Sequence, residues 1–94
     1  MKELPIAWLP EDEDENIRIY DLSFVKAKEV LLNTATIKLP NISGDNIYLG
    51  LTEDLSDVLY VYCKKDDGFR RIVVARRASD QEKDTFFASI ARFV

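Results

Sequence analysis

Apolar positions recur along this chain in several rhythms, and each rhythm predicts an element. Phe24, Ala27, Val30 and Leu31 fall at steps of three and four, the spacing that lines one face of a helix, with Asp21 or Ser23 available to cap its start. A second helix is expected near the C-terminus. There Ser79 and Glu82 stand in the S-x-x-E spacing of a capping box, followed by an apolar stripe of Phe86, Phe87, Ile90 and Val94. Val58 to Cys63 is an unbroken apolar run of strand length and reads as a central strand buried on both faces. Lys65, Asp66, Asp67 and Gly68 follow as a hairpin turn, so Phe69 to Ala75 is expected to return antiparallel. Ile47 to Thr52 reads as another strand and Glu53 to Asp57 as a turn. The β-branched Thr34, Thr36 and Ile37 predict a strand ending at Pro40, with Asn41 to Asn46 as the following turn.

The N-terminal segment is less regular. Leu4 to Trp8 is a short apolar run interrupted by Pro5, which suits an edge strand because proline cannot donate to a central ladder. Pro10 fits the first turn of a helix from Glu11 to Tyr20, whose early carboxylates complement the positive end of the helix dipole. The same acidic run is also compatible with a solvated loop. The order strand, two helices, four strands and a last helix predicts an α+β domain spanning residues 1–94, with an antiparallel sheet of four to five strands, two N-terminal helices and one C-terminal helix.

Composition narrows the chemistry. Apolar residues make up 47% of 94 residues at a net charge of −4, so the chain is expected to fold. A core of this size buries roughly 65% of the unfolded surface, which leaves room for a homodimer or a stabilising partner. No histidine is present, which removes Ser-His-Asp and Cys-His devices and the usual zinc ligand sets. Cys63 is the single cysteine, so no internal disulfide forms and a reducing cytoplasm fits best. Neither a signal peptide core nor an apolar run of the roughly 18 to 20 residues needed to span a bilayer is evident.

Charge is segregated. Residues 1–16 carry one basic side chain against six acidic ones, whereas residues 64–83 carry seven basic against four acidic. The sharpest feature lies in that second segment, Phe69-Arg70-Arg71-Ile72-Val73-Val74-Ala75-Arg76-Arg77. Strand alternation places Arg70, Ile72, Val74 and Arg76 on one face and Arg71, Val73, Ala75 and Arg77 on the other. Guanidinium groups bind phosphate through paired N–H donors at any working pH, so this strand can position RNA or stabilise a pentavalent phosphate. Equally, the arginines can serve as rim residues paired with the abundant carboxylates. The run Glu11 to Glu15 lacks the spacing of a calcium loop and suits a solvated face or a docking strip for a basic partner. Tyr48, Tyr60 and Tyr62 can stack bases on a sheet or pack in the core. Cys63 and Trp8 read as core residues.

Several of these segments resemble the BrnT toxins. Tyr48-Leu49-Gly50-Leu51-Thr52-Glu53-Asp54, Val58-Leu59-Tyr60-Val61-Tyr62 and Arg71-Ile72-Val73-Val74-Ala75-Arg76-Arg77-Ala78-Ser79 with Glu82 are similar to that family's a-l-G-x-T-x-D, l-x-V-v-y-t and R-I-I-S-A-R-x-A-T-x-x-E-R. Trp8, Asn16-Ile17-Arg18 and Leu22-Ser23-Phe24 follow its N-terminal pattern without a gap. The resemblance implies a compact RelE-like fold and a metal-independent endoribonuclease toxin that inhibits translation. It also implies a cognate antitoxin as partner, with DNA reached only through that antitoxin, and neither cofactor nor metal. By position Arg71, Arg76, Arg77 and Glu82 inherit the family's polar roles, with Tyr20 or Glu82 handling protons and Arg70, Lys64, Lys65 and Lys83 available to an RNA backbone. Two positions depart from the pattern, Asp12 where it has Lys and Tyr20-Asp21 where it has His-Gly. An alternative expectation is therefore a catalytically silent, protein-binding member of this fold, and a third is a small RNA-binding sheet protein.

Overall fold

The computed structural model describes residues 5–40, 45–66 and 68–91. Its elements are β1 (Ile6–Trp8), α1 (Pro10–Tyr20), α2 (Phe24–Leu32), β2 (Ile37–Leu39), β3 (Asn46–Leu51), β4 (Val58–Asp66), β5 (Phe69–Arg77) and α3 (Asp80–Ala91). The strands form one sheet in the order β1-β5-β4-β3-β2. Strands β2 to β5 meander antiparallel as expected, and β1 adds a parallel edge beside β5, with Ala7 opposite Arg71. The chain thus starts at one edge, crosses a face through α1 and α2 to the far edge, and returns strand by strand to where it began.

Each face of the sheet has its own core. On one, Leu22, Phe24, Ala27, Val30 and Leu31 pack against Leu59, Val61, Cys63, Ile72 and Ala75. On the other, Phe86 of α3 covers Leu49 and Val58, with Ala78, Tyr60 and Ile90 around them. Val58 to Cys63 is therefore not equally buried on both sides. Leu59, Val61 and Cys63 lie fully inside, whereas Tyr60 and Tyr62 are half-buried because α3 covers only part of their face.

The acidic run folds as helix. Pro10 opens α1 and Glu11, Asp12 and Glu13 fill its first turn, where backbone N–H groups lack partners and favour negative charge. At the other end Asp21 adopts the left-handed conformation (φ 54°, ψ 43°) and its N–H donates to the Ile17 carbonyl. The BrnT pattern has glycine at this position. The backbone explains both choices, since aspartate tolerates positive φ better than most side chains. Of the two expected caps, Ser23 takes the N-cap position of α2, but its side chain makes no capping bond and the Phe24 N–H donates instead to Glu13 Oε2 at 2.9 Å.

Three residues spaced by eight tie this end of the molecule together. The Trp8 ring meets Phe24 edge-on at 6.1 Å between centroids. Asn16, only 3% exposed, donates through Nδ2 to the carbonyls of Leu22 and Ala75, both at 2.8 Å, and accepts from the Ala75 N–H at 3.0 Å. Its carboxamide thereby completes the β5 backbone beyond the last β1 partner, Ile72.

Strand β2 is shorter than expected. Thr34 and Ala35 turn instead, with the Ala35 N–H donating to Asn33 Oδ1 at 2.9 Å and the Thr36 hydroxyl donating to the Val30 carbonyl at the end of α2. Local side-chain bonding outweighs the strand preference of β-branched residues here. The expected turn residues 41–44, together with Asp67, Leu4 and Val94, lie outside the described residues. Gly68 has φ +86°, consistent with the expected hairpin. Helix α3 begins with the expected capping box, the Ser79 N–H donating to Glu82 Oε1 (2.8 Å) and the Glu82 N–H to Ser79 Oγ (3.2 Å). Phe87, expected in the core stripe, is 47% exposed and leans edge-on against buried Phe86.

Candidate functional site

Strand β5 does not alternate evenly. Tyr62 pairs with Val74 but Cys63 pairs with Ile72, so Val73 is a bulge residue. A bulge shifts the side-chain phase by one, and the expected division of the arginines is corrected accordingly. Arg70, Ile72, Ala75 and Arg77 oppose Lys65, Cys63, Val61 and Leu59 on the α2-covered face. Arg71, Val74 and Arg76 oppose Lys64, Tyr62 and Tyr60 on the face that α3 partly covers. Each face still carries an arginine near each end, but with exchanged partners.

Arg76 is held from two sides. Its guanidinium makes a two-pronged ion pair with Glu82 (2.8 and 2.9 Å) and lies 3.9 Å from the centroid of the Tyr60 ring. Hydrogen bonding to Arg76, with further help from the Ser79 backbone, holds the Glu82 carboxyl below the ordinary carboxylate range, and the same pairing raises Arg76. Tyr20 lies near enough to contribute to the field at Arg76. Arg77 reaches the Tyr20 carbonyl at 3.5 Å and Asp57 at 3.6 Å. Arg76 and Glu82 thus meet where β5 runs into α3, whereas Arg77, one residue on, faces the other side of the sheet and meets Asp57 and the backbone of Tyr20 from distant α1.

The remaining candidates lie elsewhere. Arg71 sits toward the other end of β5, paired with Asp12 at 3.1 Å, and Lys64 is its cross-strand neighbour. Arg70 is only 6% exposed, 5.8 Å from the Tyr48 ring on the opposite face, where it lines a cleft of about 450 Å³ with Lys38 and Thr34. Lys65 opposes it across the strand pair. Lys83 follows Glu82 on α3 and is half-buried. The idea of three tyrosines forming one stacking surface does not hold, because Tyr48 faces α2 while Tyr60 and Tyr62 face the other way.

The acidic head is largely spent on structure. Asp12 pairs with Arg71, Glu13 caps α2 and Glu15 pairs with Arg18. Among the described residues no group of three or more His, Cys, Asp or Glu side chains converges as metal ligands would. Sequence reasoning missed Asp57 and Tyr60 as partners of the arginines. The signal for Asp57 was a loop: Thr52 Oγ1 donates to Asp54 Oδ1 (2.6 Å) and accepts from the Asp57 N–H (3.3 Å), which turns Asp57 toward β5. Gly50 lies in the same motif, and a Cβ there would stand 2.3 Å from Thr36 Oγ1. Most positions that carry the BrnT resemblance, Trp8, Asn16, Phe24, Gly50, Thr52 and Asp54, therefore build the fold.

The fold is thus a five-stranded mixed sheet covered by helices on both faces, with an arginine–carboxylate pair where the last strand runs into the last helix. The crystal structure of the Brucella abortus ribonuclease toxin BrnT is similar to this chain with a TM-score of 0.65, covering 82% of this chain and 99% of that one at 19% identity. The two share a fold. No family model matches the chain and no curated protein matches it. Among the described residues no helix is long and apolar enough to cross a membrane.

Proposed function

We propose that this chain is an endoribonuclease toxin of the BrnT kind, paired with an antitoxin, which arrests translation by cutting RNA without a metal ion. The observation that supports the reading is the Arg76–Glu82 pair at the β5–α3 junction, with Arg77 and Tyr20 in contact beside it, on a fold shared with a ribonuclease toxin. In the reaction a ribose 2′-hydroxyl attacks the adjacent phosphorus, the 5′-oxygen of the next nucleotide departs, and a cyclic phosphate remains. The attacking hydroxyl gives its proton to Glu82, and the leaving oxygen takes one from Tyr20. A phosphate that draws Arg76 away removes the main contact holding the Glu82 carboxyl low. Substrate binding thus makes Glu82 a stronger base at the moment it is needed. Arg77, at the same end of β5 but on the opposite face, adds positive charge to the field around the junction.

Induced expression in a bacterial host, with growth and labelled amino-acid incorporation followed, is the test. Arrest is expected, with relief by the neighbouring gene's product, and Arg76→Ala with Arg77→Ala abolishes both arrest and RNA cleavage. A double variant as toxic as the parent overturns the assignment. One observation favours a second reading, a catalytically silent protein-binding module: Arg71, Arg76 and Arg77 are each paired with a carboxylate. Normal growth at full soluble expression, together with a stoichiometric complex with the neighbour's product, selects that reading.

A further inference from the structure

Beside the junction, the same face of the sheet carries a second feature that the proposed chemistry does not use. A recess of about 340 Å³ opens at the parallel edge, lined by Ala7, Trp8, Leu9, Phe69 and Arg71. Its position follows from the register. Ala7 opposes Arg71 across the parallel pair, and Phe69 and Arg71 are two apart on β5. The bulge at Val73 then puts Arg71 on the same face as Arg76. Without that bulge the two guanidiniums would lie on opposite faces. From the cross-strand partner of Arg76, Tyr60, to that of Arg71, Lys64, is four residues, about 13 Å along an extended strand, a distance that a di- or trinucleotide can span.

We infer that this recess is a nucleobase subsite for single-stranded RNA, with Phe69 as the stacking face and Arg71 and Lys64 receiving the phosphate beside that base. The inference rests on the ribonuclease reading and extends it. Three observations support it. The recess combines aromatic and aliphatic walls with a cation at its mouth, the composition that holds a flat base next to a charged backbone. Its volume lies in the range of small-ligand sites. Between it and the junction lie Tyr62 and Val74, half-buried cross-strand neighbours on the same face, with the Tyr62 hydroxyl donating to Asp45. Asp12, 3.1 Å from Arg71, is then an internal competitor for the phosphate. Its carboxylate lowers RNA affinity by occupying part of that guanidinium.

The test uses the full chain and a fluorescein-labelled hexanucleotide of 2′-O-methyl RNA, which cannot be cut by 2′-hydroxyl attack, read by anisotropy. Natural RNA is assayed for cleavage in parallel. Phe69→Leu keeps an apolar side chain but removes the stacking face, and its thermal melt is compared with the parent's to confirm folding. The expected result is a loss of about ten-fold in affinity for Phe69→Leu and for Arg71→Gln, and tighter binding for Asp12→Asn. Cleavage of natural RNA with all three variants binding like the parent overturns the subsite and leaves the ribonuclease reading standing. Phe69-dependent binding without any cleavage keeps the subsite and overturns the ribonuclease reading. Failure of the parent to bind the hexanucleotide overturns the subsite whatever the cleavage assay reads.

Discussion

Asn16 offers the clearest link between one side chain and the stability of this fold. It is buried, and its carboxamide makes three hydrogen bonds to backbone groups of Leu22 and Ala75. Asn16→Ala removes those bonds and strands two carbonyls and one N–H away from water. A buried backbone group left unpaired costs about 1–3 kcal/mol, so a loss of about 3–5 kcal/mol is expected. That is a large part of the roughly 5–15 kcal/mol that holds a domain of this kind together. In urea, with a slope near 1 kcal/mol per molar, the midpoint is expected to fall by about 3–5 M. Asn16→Asp is an informative companion. It keeps the acceptor for the Ala75 N–H but sets a carboxylate against two carbonyl oxygens. Burial raises its folded pKa above the unfolded value, so the variant is most stable at low pH and loses that stability as pH rises through the folded pKa. A loss below about 1 kcal/mol for Asn16→Ala, at unchanged slope, would falsify the account, because it would mean that water satisfies the freed groups.

Further expectations follow from the same contacts. Gly50→Ala places a Cβ 2.3 Å from Thr36 Oγ1 and 2.8 Å from Val30 Cγ1, and overpacking of this kind costs about 1–3 kcal/mol; a calorimetric melt unchanged from the parent would show that α2 yields freely. The depressed Glu82 carboxyl contributes stability that is complete above its ordinary value of 4.5 and is lost as pH falls through its lower folded pKa. Glu82→Gln is accordingly expected to flatten the acid limb of the stability profile, and an unaltered limb would disconnect Glu82 from it. Burial pushes the Cys63 thiol up to about 12, so a thiol reagent near neutral pH is expected to label it only as the chain unfolds. Rapid labelling of the native protein would contradict the packing around β4.

Much of the fold was legible in the linear pattern. The spacing of Phe24, Ala27, Val30 and Leu31 marks α2, the Ser79 and Glu82 pair marks the start of α3, and the apolar run from Val58 marks β4. These signals are local, each set by periodicity or by a cap within a few residues. The family resemblance likewise pointed to the fold, and the structure explains why its positions serve architecture. Trp8 meets Phe24, Asn16 ties α1 to the backbones of Leu22 and Ala75, and Thr52 and Asp54 shape a turn. The candidate site was legible as a list of residue types, an arginine-rich strand ahead of an acid, but not as an arrangement.

What the sequence determined by itself is therefore the set of elements, their order, and the presence of four arginines in β5. Tertiary structure alone decided which of those side chains share a face. The bulge at Val73 depends on how β4 and β5 pair, and it moved Arg71 to the side of Arg76 and Arg70 to the side of Arg77. Tertiary structure also decided the partners. Asp12 reaches Arg71, Asp57 reaches Arg77, and Glu13 caps a helix eleven residues away, at separations that no local pattern encodes. A periodicity argument treats each strand in isolation, whereas the phase of a side chain in a sheet and the counter-charge beside it are properties of the pair of elements that meet.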